Sequence, residues 1–160
     1  MRILKVYLET TIFNYYFDKE RDAHPYTVEL FNEIKQGKYK AFTSTYVIEE
    51  IEEAPAAKRE LMLALIKRFK IEILGESDEA ENLAENYVKE GIIPQRFITD
   101  GIHIATATVN DLDMILSLNF KHIVKKKTIE LTELVNLRNG YKKVQIYTPM
   151  EIADYDEENA

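Results

Sequence analysis

Short apolar segments alternate with helical stretches along the chain, and this alternation restricts the possible folds more than any other feature of the sequence. Five segments are aliphatic or aromatic, are bounded by polar or turn residues and predict strands. They are Ile3–Leu8, Lys40–Thr43, Ile71–Leu74, Asp113–Ser117 and Val144–Tyr147. Because strands that alternate with helices pair in parallel through right-handed crossovers, the sequence predicts a three-layer α/β/α domain with a central, mostly parallel sheet.

Three of the intervening stretches have the spacing of amphipathic helices. They are Tyr26–Lys35, Ala57–Phe69 and Ser77–Glu90. The second of them places Leu61, Leu65 and Phe69 on one stripe. The third has a suitable capping residue in Ser77 and a suitable end in Gly91.

Composition limits the classes of protein to which the chain can belong. Its 160 residues, 46% of them hydrophobic, suit one globular domain with a single core. We expect that domain to cover residues 1–149, followed by a flexible acidic tail of residues 150–160. The absence of cysteine excludes disulfides, zinc–thiolate sites and thiol nucleophiles. No apolar run approaches the roughly 20 residues that span a bilayer. We therefore expect a cytoplasmic protein that does not bind membranes.

Charge is distributed unevenly along the chain. The net charge is −7, but residues 151–160 hold five acidic groups, and the rest of the chain carries only −2. Lysine and arginine outnumber acidic residues from Leu118 to Lys143. A basic flank on an acidic protein can hold a phosphate backbone. An ordinary solvated face explains the same charges, and charge alone favours it.

Four polar residues occupy positions at or shortly after the predicted strands. Glu9 follows the first strand directly, and Glu50 lies on a predicted helix after the second strand. Asp100 begins a predicted helix, and Asn119 follows the fourth strand. In open α/β sheets, ligands bind where loops leave the carboxyl ends of the strands. Taken singly, each residue has a purely structural explanation, such as a turn former, a helix cap or a solvated surface group.

Taken together, the order and placement of these residues resemble the PIN-domain family, particularly VapC-type toxins and their relatives. The pattern is a strand followed by Glu-Thr-Thr, then Ser-x5-Glu, then Asp-x2-His-Ile-Ala-x-Ala, then a strand followed by Ser-x-Asn-Phe. The resemblance extends over the chain to about Pro149. It implies a parallel sheet between helices and endoribonuclease cleavage that depends on Mg²⁺ or Mn²⁺. It also implies RNA as substrate, a small antitoxin as a partner and a homodimer.

The resemblance assigns catalytic positions to the same four residues. Glu9, Glu50 and Asp100 match the first three carboxylates, which implies that they bind the metal ion. Asn119 stands where many members of the family have a fourth aspartate. The register of the second carboxylate is open by one residue, because Glu49 precedes Glu50.

Further residues are expected to support this site. Thr11 matches the hydroxyl residue two positions after the first acid and is suited to hydrogen-bond a carboxylate or a metal-bound water. His103 lies one turn after Asp100, where it can orient that carboxylate, although a buried, hydrogen-bonded histidine is the commoner outcome. Four basic residues flank the expected cleft and are candidates for contacting RNA: Lys121, His122, Lys125 and Lys126.

Two of the catalytic positions depart from the family pattern. Glu9 is one methylene longer than aspartate, so its oxygens reach roughly 1 Å further from the backbone. Asn119 lacks a negative charge but keeps a carbonyl oxygen and adds an NH₂ donor. Because packed carboxylates repel one another unless a divalent cation neutralises them, losing one charge weakens the attraction for a cation.

Two other functions are open, and these departures favour the first of them. In the first, the chain keeps the fold but acts as an inactive module that binds RNA or protein. In the second, the chain is an unrelated α/β domain whose acids serve another reaction, such as phosphoryl transfer to an aspartate. The second alternative is weakened because Glu9 follows the first strand without a paired aspartate, and no lysine is well placed after a late strand.

Overall fold

The central sheet has the architecture that the sequence predicts. The computed structural model describes residues 2–158, and of residues 154–158 the backbone alone. Within this part of the chain, the strands are β1 (Leu4–Leu8), β2 (Tyr39–Ser44), β3 (Glu72–Leu74), β4 (Met114–Leu116) and β5 (Gln145–Tyr147). They form one sheet in the order β3-β2-β1-β4-β5, and every pairing is parallel. The predicted α/β class is therefore confirmed.

Helices connect these strands. They are α1 (Thr10–Tyr15), α2 (His24–Lys35), α3 (Thr45–Glu52), α4 (Ala56–Arg68), α5 (Asp78–Lys89), α6 (Ile98–Val109), α7 (Lys126–Arg138) and α8 (Pro149–Glu158), with a 3-10 helix at Gln95–Phe97. The three predicted helices correspond to α2, α4 and α5. As predicted, Ser77 caps α5 by accepting a hydrogen bond from Ala80 N–H at 3.1 Å. None of the described helices is both long enough and apolar enough to cross a membrane.

The position of β1 determines where the site lies. As the central strand, β1 is covered on both faces, and its residues Val6, Tyr7 and Leu8 are fully buried. Leu8 pairs with Leu116 at the end of β4, and Glu9 N–H donates to the carbonyl oxygen of Leu116 at 3.1 Å. The carboxyl ends of β1 and β4 therefore lie side by side, and the chain leaves both strands at the same edge.

Two details of individual elements differ from what the sequence suggested. Leu61 is 51% exposed, although it shares a predicted stripe with Leu65, which is buried on the same helix. Helix α6 begins at Ile98, so Asp100 lies in its first turn and does not begin the helix. The flexibility expected of residues 150–160 stays a prediction, and the described part of this segment belongs to α8 and buries Ile152. Residues 159 and 160 lie outside the described residues.

Candidate metal centre

Glu9 is a buried carboxylate that is held by hydroxyl groups. It caps α1, and only 2% of its surface is exposed. Its Oε1 accepts hydrogen bonds from Thr11 Oγ1 at 2.5 Å and from Ser117 Oγ at 2.7 Å. Thr11 Oγ1 in turn accepts from Leu118 N–H at 2.8 Å, which links the ends of β1 and β4. Burial raises the pKa of Glu9, although the charge of His103 and the two hydroxyl donors oppose the rise.

Glu50 reaches the same place from α3. Its Oε1 accepts hydrogen bonds from Thr10 Oγ1 at 2.7 Å and from His103 Nε2 at 2.5 Å. Burial acts to raise the pKa of Glu50, but the hydrogen bond and charge of His103, helped by Thr10, outweigh burial and hold it below its ordinary value. The neighbouring Glu49 is exposed. Of the two neighbouring glutamates, Glu50 is therefore the one that lies beside Glu9 and His103.

His103 is fully buried between Glu50 and β1. Its Nδ1 lies 2.7 Å from Tyr7 Oη, which lies 2.7 Å from Ser44 Oγ. Burial acts to lower the pKa of His103, but the hydrogen bond and charge of Glu50 outweigh it and leave that pKa raised. The expected buried, hydrogen-bonded histidine is thus observed. Its ring nitrogens contact Glu50 and Tyr7, however, so the carboxylate that it orients is Glu50 and not Asp100.

Asp100 and Asn119 lie beside these groups. Burial raises the pKa of Asp100, and the charge of Glu50 adds to the rise, while the charge of His103 and an interaction with the Asn119 side chain oppose it. Asn119 Oδ1 accepts a hydrogen bond from His122 N–H at 3.0 Å. The Asn119 side chain therefore both shapes the turn after β4 and contacts Asp100.

The donor atoms fit a divalent cation. Glu9, Glu50 and His103 each offer one ligand atom, and these atoms all lie within 4.8 Å of one another. Asp100 is not part of this tightest group, although its charge interacts with Glu50 and His103. All described hydrogen bonds to the Glu9 side chain end on Oε1, which leaves Oε2 available to a ligand. Carboxylates with an imidazole form a donor set that suits Mn²⁺ and other divalent transition metals.

The basic residues expected to contact RNA do not all lie at the site. His122 stacks on Phe97 with ring centroids 4.1 Å apart, and Lys121 Nζ lies 5.6 Å from the same ring. The charge of His122 also acts on Asp100, which places this residue at the edge of the acidic cluster. Lys125 lines a cavity of about 260 Å³ together with His122. Lys126 is exposed on α7 and approaches Glu130 at 3.9 Å.

Four residues with a part in the hydrogen-bond network were not recognised as such from the sequence. They are Tyr7, Thr10, Ser44 and Ser117. Ser44 and Ser117 stand at the carboxyl ends of β2 and β4, as Glu9 does at the end of β1. A hydroxyl at the end of each neighbouring strand is the signal that could have identified the two serines.

Comparisons with known proteins agree with this architecture. No protein-family profile and no curated protein matches the sequence. Among solved structures, the chain is similar to the crystal structure of VapBC2 from Rickettsia felis bound to a DNA fragment from their promoter. The similarity has a TM-score of 0.57 at 15% sequence identity and covers 91% of this chain and 98% of the other. At this identity the likeness concerns the fold, and the chain therefore has the PIN-type α/β fold that its sequence resemblance predicted.

Proposed function

We propose that the chain is a metal-dependent endoribonuclease of the PIN/VapC type, with Mg²⁺ or Mn²⁺ as cofactor and Glu9, Glu50 and Asp100 as ligands. One observation carries the proposal. Carboxylate oxygens of Glu9, at the end of β1, and of Glu50, on α3, lie within 4.8 Å of each other although the residues are distant in sequence. The carboxylate of Asp100, in the first turn of α6, is close enough to interact with the charge of Glu50. Such clustering raises the free energy of the folded chain unless a cation offsets the repulsion.

Each residue of the site has a role in this proposal. Glu9, Glu50 and Asp100 would hold a divalent ion, which would supply the positive charge needed to polarise the scissile phosphate and to activate a water for attack. Thr11 and Ser117 fix one oxygen of Glu9, and Thr10 and His103 fix one oxygen of Glu50. These contacts restrict the rotamers of the carboxylates, which favours catalytic positioning.

The flank of the cleft supplies the proposed contacts to RNA. The loop that follows Asn119 carries Lys121, His122 and Lys125. The charge of His122 is close enough to Asp100 to act against the rise in its pKa. Cationic side chains beside the acidic centre can hold the phosphates on either side of the scissile one. Lys126 is turned to the exposed surface of α7, so we assign it a weaker, longer-range attraction.

A partner protein is part of the proposal. One solved structure with a similar fold is a VapBC2 complex, and this supports an interaction with a small antitoxin in a toxin–antitoxin pair. We further propose that the chain acts in the cytoplasm as a homodimer. Size-exclusion chromatography with light scattering, alone and with a candidate antitoxin, measures both associations.

The alternative is a PIN-type domain that binds RNA or protein without cutting. The observation that favours it is the state of Asn119, whose Oδ1 already accepts the His122 N–H and which brings no negative charge. An inactive module would retain the RNA-binding flank but show no metal-dependent cleavage.

Cleavage of a mixed RNA pool separates the two functions. We expect the purified chain to cut RNA with Mn²⁺ and to stop in EDTA, and we expect an Asp100→Ala/Glu50→Ala double variant to be inactive. Glu49→Ala is the matched control, because Glu49 is the exposed neighbour of Glu50 on α3 and its loss should leave cleavage unchanged. Cleavage that persists in EDTA or in the double variant would indicate a contaminating nuclease. RNA binding without any cleavage would support the inactive module.

A further inference from the structure

We infer that His103 is itself a metal ligand, through Nε2, and that the site therefore binds Mn²⁺ more tightly than Mg²⁺. This inference rests on the proposed function, because it concerns the same metal centre. It changes the chemistry of that centre from all-oxygen to mixed oxygen and nitrogen donors, which alters the expected choice of cation.

The position of Nε2 beside Glu50 favours its coordination of the ion. A ring nitrogen of His103 lies within 4.8 Å of ligand oxygens of both Glu9 and Glu50. Of the two ring nitrogens, Nε2 is the one that lies 2.5 Å from Glu50 Oε1. Around an octahedral ion with bonds of about 2.1 Å, adjacent donor atoms lie about 3 Å apart. Nε2 and Oε1 therefore need to separate by roughly 0.5 Å to hold an ion between them. The ion would take the place of the proton that now joins the two atoms.

The surroundings of Nδ1 also favour coordination through Nε2. Tyr7 Oη lies 2.7 Å from Nδ1, and Ser44 Oγ lies 2.7 Å from Tyr7 Oη. With a metal bound, Nδ1–H donates to the tyrosine oxygen, and the tyrosine hydroxyl donates to Ser44. That arrangement fixes the tautomer in which Nε2 carries the free lone pair, as the partners of metal-bound histidines usually do. All three residues are fully buried, so the ring cannot easily turn away.

The preference for Mn²⁺ follows from the donor set. Mg²⁺ is a hard ion that takes oxygen ligands and keeps several waters. An imidazole nitrogen suits first-row transition ions better, and Mn²⁺ accepts it beside carboxylates. The difference in affinity between Mn²⁺ and Mg²⁺ should therefore be larger at a site with a nitrogen donor than at a cluster of carboxylates alone.

The competing account makes His103 a positioning residue only, which holds Glu50 by a hydrogen bond and never touches the ion. Stability and activity measurements cannot distinguish the two accounts, because both predict losses when His103 is replaced. The accounts differ in whether a nitrogen–metal bond exists, and pulsed EPR of the Mn²⁺-loaded protein detects that bond through its ¹⁴N hyperfine coupling.

The experiment uses the three histidines of the chain. We expect Mn²⁺-loaded wild-type protein to show ¹⁴N coupling that becomes ¹⁵N coupling after labelling with ¹⁵N-histidine. We expect His103→Gln, which keeps an amide donor for Glu50, to lose the coupling and to bind Mn²⁺ at least about tenfold more weakly. Mg²⁺ affinity should fall by less. A His24→Gln/His122→Gln variant, in which His103 is the only histidine, should retain the coupling.

Each result of this experiment either supports or overturns His103 as a metal ligand. Mn²⁺ binding without nitrogen coupling in the wild type overturns it and leaves the proposed metal site standing. Coupling that disappears in the His24→Gln/His122→Gln variant also overturns it, because the ligand would then be another histidine. If the wild type binds no Mn²⁺, the proposed function fails together with the inference. Should His103→Gln not fold, the labelled double variant still decides the question.

Discussion

Glu9 and Asn119 both depart from the family pattern, but their surroundings differ. The longer Glu9 side chain is held at one oxygen by two hydroxyl donors, so its extra rotatable bond is immobilised within the fold. Asn119 instead has its oxygen directed at the backbone N–H of His122 and interacts with Asp100. We infer that the extra methylene of Glu9 is compensated by its hydrogen bonds, whereas the charge missing at Asn119 is not.

Restoring that charge should have opposite effects on affinity and on stability. We expect Asn119→Asp to strengthen Mn²⁺ binding by roughly tenfold, about 1.4 kcal/mol, because a further carboxylate would face the cation. The same substitution should lower the melting temperature of the metal-free protein, because the new charge lies beside Asp100. Calorimetric titration and thermal unfolding in EDTA measure the two effects.

Gln145→Glu provides the matched control for Asn119→Asp. Gln145 is exposed on β5 and pairs with Met114, away from the carboxyl ends of the strands, so it adds the same charge at a distance from the site. The Mn²⁺ affinity of the Gln145→Glu variant should equal that of the wild type. Equal affinities for Asn119→Asp and Gln145→Glu would exclude position 119 from the metal centre.

The sequence could predict which acids come near one another in the fold but not how each is held. Order along the chain indicated Glu9, Glu50 and Asp100 as a candidate set, and Glu50 lies near both of the others. The hydrogen bond from Ser117 to Glu9 spans 108 positions, and that from His103 to Glu50 spans 53. Such contacts depend on the strand order and on side-chain rotamers, neither of which has a periodic signature in one sequence.

At the scale of elements, α6 matters most because it carries both Asp100 and His103. Gly101 lies between them and faces α5 and the segment that follows it. A Cβ atom at Gly101 would meet Ile93 Cδ1 at 3.2 Å and Tyr87 Cδ2 at 3.4 Å. The close approach of α5 and α6 therefore depends on the absence of a side chain at this position, which is next to Asp100 in the chain.

A large side chain at position 101 should therefore displace the helix that carries the site. We expect Gly101→Leu to lower the free energy of unfolding by about 1–3 kcal/mol through overpacking and to reduce the proposed nuclease activity. The better helix propensity of leucine offsets only part of that loss. Urea denaturation measures the stability, and initial cleavage rates measure the activity.

Gly75 offers a matched position for the same substitution. It is exposed after β3, and a Cβ atom there would meet nothing within 4 Å. Gly75→Leu should change the free energy of unfolding by no more than about 0.5 kcal/mol. If both leucine variants are equally stable, close packing at Gly101 does not position α6.

Elements differ in how well the sequence predicts them. Helices α2 and α5 each have a buried face that gives a helical period, and both were predicted nearly to their ends. Helices α1 and α7 were missed for different reasons. Helix α1 has only six residues, too few for a period to appear. Helix α7 leaves Leu134 and Leu137 exposed, so its apolar residues do not mark the side that packs against the protein.

At the scale of the whole molecule, the clustered carboxylates raise the free energy of the folded state. Binding of a cation would lower it. Glu9 and Asp100 have raised pKa values because burial penalises their charged forms. The His103 charge relieves part of the repulsion while no cation is bound. A ligand that binds the folded state and not the unfolded chain stabilises the fold by RT ln(1 + [L]/Kd). Metal binding should therefore appear in the global stability of the domain, not only at the site.

Thermal unfolding with and without Mn²⁺ measures that linkage. At a free Mn²⁺ concentration about 100 times Kd, we expect about 2.7 kcal/mol of stabilisation, which corresponds to a rise in melting temperature of about 5–10 °C for a domain of this size. Glu50→Gln and Asp100→Asn should abolish the rise, whereas Glu49→Gln should retain it, because Glu49 is exposed beside Glu50 on the same helix. Comparing shifts within each variant removes the effect of the substitution on the metal-free protein. A shift of equal size in Glu50→Gln and Glu49→Gln would show that Mn²⁺ binds elsewhere on this acidic chain, and the carboxylates at the ends of the strands would then need another explanation.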